Sequence, residues 1–533
     1  MKRHWPAVAA VTIYWTATAV LLGQSLRLND GHLIYPLDDA YVHMAIARNV
    51  ALHHVWGVVR DGFSSSTSSP LWTLMLALTY FVLGVGAAAP LVINFVAGSL
   101  IVVTIGHFMR AQSAGAPLTF AVLLAAIFIA PLPTLTLAGM EHTLHALVTV
   151  WFAFTAASLL ASNRPATKRD LAMAGLLSAL AVGLRYEGMF AVGVAALLFM
   201  LTRRWAAAGV VAAAGTAPVV AYGLWSMMHG WYFFPNSVLL KGQVPSLDLK
   251  AILAFAAGSP ALHNLVGNPH MLLIVVAALA LLLVATTAPV WNEDVFLLTI
   301  LIGTSLLHMQ LARAGWFYRY EAYLLVLGAA VFGVIAANRL PSFRTWARGS
   351  AVLPRLAGVA TLFVVAGFPF VSRGVNALRT APTAASNIYR QQYQVGLFLD
   401  RFYTGRSVAV NDIGAVAYLA DVKLFDIFGL ASLEIAQLKR AGRYESRELA
   451  ASALRHDTEI AIVYPSWLGE YGGVPAGWTK VGEWGVADNV VLGENAVSFY
   501  AVKADQRPRL VENLRRFAPG LPGAVRQAGE YTK

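Results

Sequence analysis

The sequence has no cysteine among its 533 residues. Disulfide bonds, thiol catalysis and cysteine-ligated metal sites are therefore excluded. Charged residues are also scarce: Asp, Glu, Lys and Arg make up 12% of the chain, where a soluble domain carries roughly 25%. Hydrophobic residues reach 58% and occur in long runs, which is typical of an integral membrane protein.

The formal net charge is +12. In a membrane protein, an excess of Lys and Arg indicates topology and contact with lipid headgroups. The chain has no basic patch interleaved with aromatic residues, so the charge does not predict a nucleic-acid partner.

The apolar runs predict a polytopic α-helical membrane protein with about 11 spans, because a span needs about 20 apolar residues. The run from Trp5 to Ser25 lacks a small-residue cleavage site and predicts an uncleaved first span. The segments lie near 5–25, 71–87, 90–108, 118–138, 143–161, 171–184, 188–202, 206–228, 270–289, 295–312, 321–338 and 356–371.

Basic loops orient these segments by the positive-inside rule. The outer face then receives Asp38-Asp39, Arg185–Glu187, the 229–269 loop, Arg313–Arg319 and everything after about residue 372. Four segments between 71 and 161 would join an outer loop to an inner one, which requires an odd number of crossings. One of the four is therefore predicted to be re-entrant or not a span, and the segment 118–138, which contains Pro131 and Pro133, is the candidate. The basic residues that anchor the inner face are Lys2, Arg3, Arg164, Lys168, Arg169, Arg203, Arg204, Arg339, Arg344, Arg348 and Arg355.

The composition changes after residue 371, which divides the chain into a membrane domain, 1–371, and a soluble domain, 372–533. The tail has normal charge density, a helical pattern at Glu445–Arg455 and several short β-like runs. This predicts a C-terminal α/β domain on the extracytoplasmic side. The predicted strands are Ser407–Val410, Lys423–Asp426, Glu459–Val463, Lys480–Trp484 and Ser498–Val502.

Two adjacent acids, Asp38 and Asp39, follow the first span and begin an amphipathic helix that runs to about His54. One carboxylate would suffice to cap that helix. Because neighbouring carboxylates repel each other, the second acid favours a chemical role, such as general base toward a hydroxyl group. Helical spacing places His43 on the same face as Asp39.

Hydroxyl groups precede the next span in the stretch Ser64–Pro70, which includes Ser66 and Thr67. They could line a polar pocket, or they could form a flexible loop in which Ser69 caps the helix and Pro70 takes its first position.

Charged and aromatic residues mark four further loops. Glu141 and His142 lie between two spans, where ionisable groups are functional candidates. Arg185 and Glu187 form the tip of a short helical hairpin and could pair with each other, or Arg185 could hold a phosphate. The remaining candidates are Asn236 and Lys241 in one loop and Arg319 and Tyr320 in another, each also explained by an aromatic belt at the membrane edge.

An ordered set of six short motifs resembles those of the membrane glycosyltransferases of the GT-C type. In chain order the motifs are Leu37-Asp-Asp-Ala-Tyr41, Ser66-Thr-Ser-Ser-Pro-Leu-Trp72, Gly139-Met-Glu141, Arg185-Tyr-Glu-Gly188, Pro235-Asn-Ser237 and Arg319-Tyr320. Two stretches of the tail, Asn411–Val416 and Phe425–Leu430, add to the resemblance. Within that group the chain is most similar to the terminal arabinofuranosyltransferases of bacterial cell walls.

This resemblance implies a polyprenyl-phosphate sugar donor, a cell-envelope glycan acceptor and a multi-pass protein of the bacterial cytoplasmic membrane. It also implies that Asp38 or Asp39 acts as the base, with the two not distinguished. Transfer would be inverting and the sugar would be arabinofuranose or another sugar. No cofactor is implied, and a requirement for a divalent cation stays open.

Two other functions compete with transfer. A transporter or flippase for lipids or sugars is the alternative, although transporters place charges at the bilayer midplane and this chain has them at span ends. A scaffold whose outer domain binds wall polymer is the third.

Overall fold

The computed structural model describes residues 4–241, 253–255, 257–285, 292–346 and 352–533, with side chains described apart from those at 241, 285, 340–346 and 352–365. The predicted anchors Lys2, Arg3 and Arg348, and the side chains of Arg344 and Arg355, therefore lie outside the described part.

Helices dominate the described residues. The α-helices of six residues or more are Trp5–Leu28, Asp38–His53, Pro70–Leu83, Ala88–Ala111, Ala116–Ile129, Leu132–Ala138, His142–Ala161, Lys168–Leu184, Gly188–Leu201, Trp205–Met228, Asn236–Lys241, Ser259–Gly267, Pro269–Ala285, Glu293–Leu311, Ala322–Trp346, Val352–Ile388, Gln394–Tyr403, Gly414–Leu419, Leu433–Arg440, Ser446–Arg455 and Arg507–Phe517.

Among the described residues, seven helices are long and apolar enough to cross a membrane. Ser259–Gly267 and Pro269–Val284 together make an eighth candidate, bent by 110°. The chain is therefore a multi-pass membrane protein. Three of the twelve predicted segments form helices of 14, 17 and 14 residues, shorter than the ~20 residues of a typical span. A fourth, 356–371, lies on the helix Val352–Ile388, and its side chains up to residue 365 are outside the described part.

The segment predicted to be re-entrant forms one candidate span instead, which corrects that expectation. Ala116–Ala138 covers 23 residues with a mean hydropathy of 2.2, although its helix is interrupted beside Pro131. The segment of this group that is too short is Pro70–Leu83. The three candidate spans between residues 71 and 161 match the odd number of crossings that the charge pattern predicts.

The chain forms two compact units. The first consists of Met1–Leu21, Leu91–Ala221 and Gly242–Arg379, and the second of Leu22–Pro90, Tyr222–Lys241 and Thr380–Lys533. The long helix Val352–Ile388 runs through the domain boundary predicted at residue 371. The second unit thus combines the C-terminal region with two stretches from earlier in the chain.

A six-stranded mixed sheet forms the centre of the C-terminal region and confirms the predicted α/β character. The strand order is β2-β1-β3-β5-β4-β6, with β2, β1 and β3 parallel and the other neighbours antiparallel. All four residues of β3 are buried, as expected for a strand covered on both faces. The strands are β1 Ser407–Val410, β2 Lys423–Asp426, β3 Ile460–Val463, β4 Thr479–Gly485, β5 Ala496–Ala501 and β6 Arg526–Gly529.

Candidate functional site

The acid pair begins the Asp38–His53 helix, as predicted, with both acids in its first turn. The N-cap position is Leu37, whose own side chain makes no capping hydrogen bond.

Asp38 binds the N-terminus of a helix in the C-terminal region, within the second unit. Its Oδ2 accepts the Gly414 N–H at 2.5 Å and its Oδ1 accepts the Ala415 N–H at 2.7 Å. Free N–H groups at a helix start favour a negative partner, so the carboxylate stabilises the Gly414–Leu419 helix. Both oxygens of Asp38 are directed at this backbone.

Arg48, from the same helix as Asp38, binds the other end of the Gly414–Leu419 helix. Its Nη1 donates to the carbonyl of Tyr418 at 2.6 Å and its Nη2 donates to that of Ala417 at 3.2 Å. A cation suits the negative C-terminal end of a helix. The two charges of one helix therefore hold both ends of the other.

A buried polar network continues from Asp38 into the C-terminal region. The carboxyl group of Asp412 hydrogen-bonds that of Asp38, and Gln392 Nε2 donates to Asp412 Oδ2 at 3.1 Å. Gln392 also donates to the hydroxyl group of Tyr464. Burial raises the pKa of Asp38, and the hydrogen bonds from Asp412 and the two amides offset part of that rise. Two carboxyl groups in contact share a proton more readily than they ionise together.

Asp39 is half-buried, and its charge acts on the neighbouring Asp38. His43 lies one helical turn further on and is buried. Its Nδ1 lies 3.0 Å from the Thr73 hydroxyl and 3.3 Å from that of Thr67. Two predicted site residues, His43 and Thr67, are thus brought together.

Ser66 and Asn236 both bind the loop that follows β2. The Ser66 hydroxyl donates to the Leu430 carbonyl at 3.0 Å, and Asn236 Nδ2 donates to the Gly429 carbonyl at 2.8 Å. Asp426 shapes that loop by accepting three of its backbone N–H groups. Three motifs separated in sequence therefore meet in the second unit. Lys241 ends the short helix after Asn236, and its side chain lies outside the described residues.

Arg185 lies at the centre of a second cluster, in the first unit. Its Nη1 lies 2.5 Å from Glu141 Oε1 and 2.6 Å from His142 Nε2, and its Nη2 binds Glu187. Because a guanidinium group only donates, His142 Nε2 accepts. The expected pairing of Arg185 with Glu187 is present, and Glu141 joins it. With two carboxylates as partners, Arg185 is largely neutralised as a phosphate ligand.

Tyr320 lies between two arginines in this cluster. The guanidinium carbon of Arg319 is 4.9 Å from the ring centroid and that of Arg185 is 5.8 Å from it, both within cation–π range. Arg319 Nη2 also donates to the Tyr320 hydroxyl at 3.2 Å. The predicted residues of the first unit, from Glu141 to Tyr320, form one cluster.

Sequence reasoning missed Arg48, Asp412, Gly414 and Asp426 as members of the site. The spacing of Arg48 from Asp38 on one helix was the available signal for the first of these. Asp426 stands before a glycine-containing loop, a position that favours an Asx-type turn.

No group of three or more His, Asp or Glu residues able to hold a metal ion occurs in the part of the chain that the structure describes.

The structure of this chain is similar in fold to solved structures of other proteins. ArnT from Cupriavidus metallidurans, solved bound to undecaprenyl phosphate, superposes with a TM-score of 0.51 and 13% identity, covering 93% of this chain and 98% of that one. The chain thus has the GT-C fold predicted from its sequence, and the likeness at this identity is one of fold.

Other matches are weaker. The apo form of the same ArnT gives a TM-score of 0.49 at 14% identity over 94% of this chain and 99% of that one. The mycobacterial arabinofuranosyltransferase AftD gives 0.38 at 17% identity over 95% of this chain and 42% of its own. Residues 386–500 match a family described as a domain of unknown function (DUF8728). No curated protein matches in sequence.

Proposed function

We propose that the protein is a membrane glycosyltransferase that moves a sugar from a polyprenyl-phosphate donor to a glycan of the bacterial cell envelope. The anchored acid pair carries the proposal: Asp38 is fixed by backbone amides, and a second carboxylate is the next residue. The GT-C fold supports it, since ArnT was solved with undecaprenyl phosphate. Arabinofuranose is the proposed sugar because of the resemblance in sequence motifs.

The two acids take different roles in this proposal. Both oxygens of Asp38 accept backbone N–H groups, so Asp38 is a positioning residue. Asp39 is the general base, which takes the proton from the attacking hydroxyl group as that oxygen bonds to the anomeric carbon. The bond from the anomeric carbon to the phosphate breaks, and the lipid phosphate leaves with the electron pair.

Positive side chains would stabilise the departing phosphate. A single base with no carboxylate nucleophile opposite it gives inversion at the anomeric carbon. A product of retained configuration would contradict that part of the proposal.

The test is mass spectrometry of envelope glycans from a strain that lacks the gene. We expect one sugar linkage to disappear and to return with the wild-type chain. Asp39→Asn should fail to restore it at equal protein level in the membrane. Asp400→Asn, the same substitution at an exposed position, should restore it. Restoration by Asp39→Asn would remove the proposed base.

A purified assay separates transfer from transport, the alternative function. The full chain in detergent, supplied with a polyprenyl-phosphate pentose and a glycan acceptor, should release the lipid phosphate and extend the acceptor. A transporter or flippase would move the lipid across a vesicle membrane and leave its sugar bond intact.

A further inference from the structure

An open cavity of about 490 Å³, with polar groups set in a mainly apolar lining, lies entirely within the first unit. Its walls come from the bend between Ser259–Gly267 and Pro269–Ala285, from the 315–321 turn and from the middle of Val352–Ile388. Its volume falls in the range of about 300–1,000 Å³ that small-ligand sites occupy. None of the residues proposed above for transfer lines it.

A buried ion pair is built into one wall. Glu321 is fully buried, and its Oε1 lies 2.8 Å from Arg373 Nη2 and 3.4 Å from His270 Nε2. Its Oε2 accepts the Gly315 N–H at 2.9 Å. Ionisable groups are costly among membrane helices, which makes such a pair a candidate for function.

The pair is held rigidly. Arg373 also donates to the carbonyls of Ile129 at 2.9 Å and Tyr318 at 2.7 Å, and its guanidinium carbon lies 5.3 Å from the Tyr318 ring centroid. Phe317 and Tyr318 both have left-handed backbone conformations, with φ of 46° and 60°. Such strain in bulky residues persists only where the surroundings enforce it, and it concentrates at ligand sites.

The charge balance restricts the ligand. Because Glu321 neutralises Arg373, the cavity offers no net positive charge to a bare anion. Its lining instead combines the charged pair of Glu321 and Arg373 with the amide of Asn268 and the hydroxyl of Ser372. The rings of Tyr318 and Phe368 add aromatic surface. Hydroxyl groups, which both donate and accept, match such a mixture, and an aromatic ring offers an apolar face.

We propose that this cavity binds a neutral saccharide unit. This binding does not depend on the proposed transfer reaction. The loop that supplies Gly315, Tyr318 and Glu321 lies on the side of the membrane that the charge pattern predicts to be outer.

The test measures binding without requiring activity. Saturation-transfer NMR on the purified full chain in detergent would use methyl glycosides of arabinofuranose, galactofuranose and mannopyranose as probes. We expect at least one to bind the wild-type chain. Ser372→Trp, which fills the cavity, should weaken that binding about tenfold or more.

Val371→Trp is the matched control, since it adds the same bulk to the neighbouring residue of the same helix, which is 62% exposed and does not line the cavity. It should leave binding unchanged. Ser372→Leu replaces Ser372→Trp if the larger residue lowers the melting temperature more than the control does.

Three results would overturn the saccharide site. Either no probe binds the wild-type chain, or Ser372→Trp binds the probes as the wild type does, or the cavity holds a co-purified phospholipid, which the cavity-filling variant loses and the glycosides do not displace. Transfer in the purified assay with no glycoside binding would reject the saccharide site and leave the proposed function intact. Glycoside binding without transfer would do the reverse.

Discussion

The backbone carbonyl oxygen of Asp38 lies 2.0 Å from the point where a side chain would begin at Gly414. The carboxylate of Asp38 is 2.7 Å from the same point, by its Oδ2. Only a glycine at position 414 therefore allows the acid-bearing helix to approach this backbone so closely.

Gly414→Ala should separate the two helices and remove the hydrogen bonds that Asp38 accepts. Because the clash is with backbone, a side-chain rotation cannot relieve it, and we expect a loss of about 1–3 kcal/mol of stability. Thermal unfolding of the full chain in detergent measures this loss. Gly477→Ala, at a glycine whose added Cβ would meet no atom within 4 Å, should change little. An unchanged melting temperature for Gly414→Ala would contradict the close approach.

Asp38→Asn should lower stability, because an amide group can accept only one of the two N–H groups through its oxygen. The remaining unsatisfied amide costs about 1–3 kcal/mol. Asp400→Asn, on an exposed side chain, is the control and should have little effect.

The same variant tests the pH dependence. The pKa of Asp38 is raised in the folded state above its ordinary 3.8, so between these two values the folded chain binds more protons than the unfolded one. The contribution of this group is complete below pH 3.8 and is lost as the pH rises through the raised value. The melting-temperature gap between wild type and Asp38→Asn should therefore widen on acidification, and a gap that narrows would refute the raised pKa.

Arg185→Lys should destabilise the first unit although it keeps the charge. One ammonium group cannot reproduce the planar fork that binds Glu141 and Glu187 together. Each lost charged hydrogen bond costs about 1.5–3 kcal/mol. Arg164→Lys makes the same change in an exposed pair with Asp170, where solvent screens the charges and we expect little change in melting temperature. Equal melting temperatures for the two variants would argue against the buried cluster.

Asn236→Asp should loosen the loop after β2, because a carboxylate cannot donate to the Gly429 carbonyl. Asn236 is fully buried, so the two facing acceptors are left unsatisfied. Hydrogen exchange at Phe428, Gly429 and Ala431 should become faster. Asn495→Asp, at an exposed position, serves as the comparison and should leave those amides protected.

Local patterns made most of the secondary structure predictable. The strands β1 and β2 have the predicted bounds, β3 differs by one residue at its start, β4 and β5 differ by one or two residues at both ends, and the acid-bearing helix ends within one residue of His54. Strand β6, Arg526–Gly529, was missed because all four of its residues are exposed and show no apolar alternation.

The partners within the site could not be read in the same way. Asp38 and Gly414 are 376 residues apart, and Arg48 and Tyr418 are 370 apart. Neither pairing leaves a trace in periodicity, since each residue looks like an ordinary helix-terminal or surface residue in its own neighbourhood. The helix-cap interpretation of Asp38 identified the chemistry of a carboxylate at a helix N-terminus, but it could not name the Gly414–Leu419 helix, because sequence spacing reveals only local partners.

Asp38 and Arg48 bind the Gly414–Leu419 helix, which is synthesised much later, and this affects how the protein folds during synthesis. The ribosome completes the segment that carries Asp38 and Arg48 hundreds of residues before the Gly414–Leu419 helix exists, so both side chains lack these partners during most of translation. The C-terminal region expressed alone would lack Asp38 and Arg48, which bind the two ends of the Gly414–Leu419 helix. The C-terminal region therefore depends on the earlier segment for part of its structure and is not expected to be replaceable by the same region of another protein.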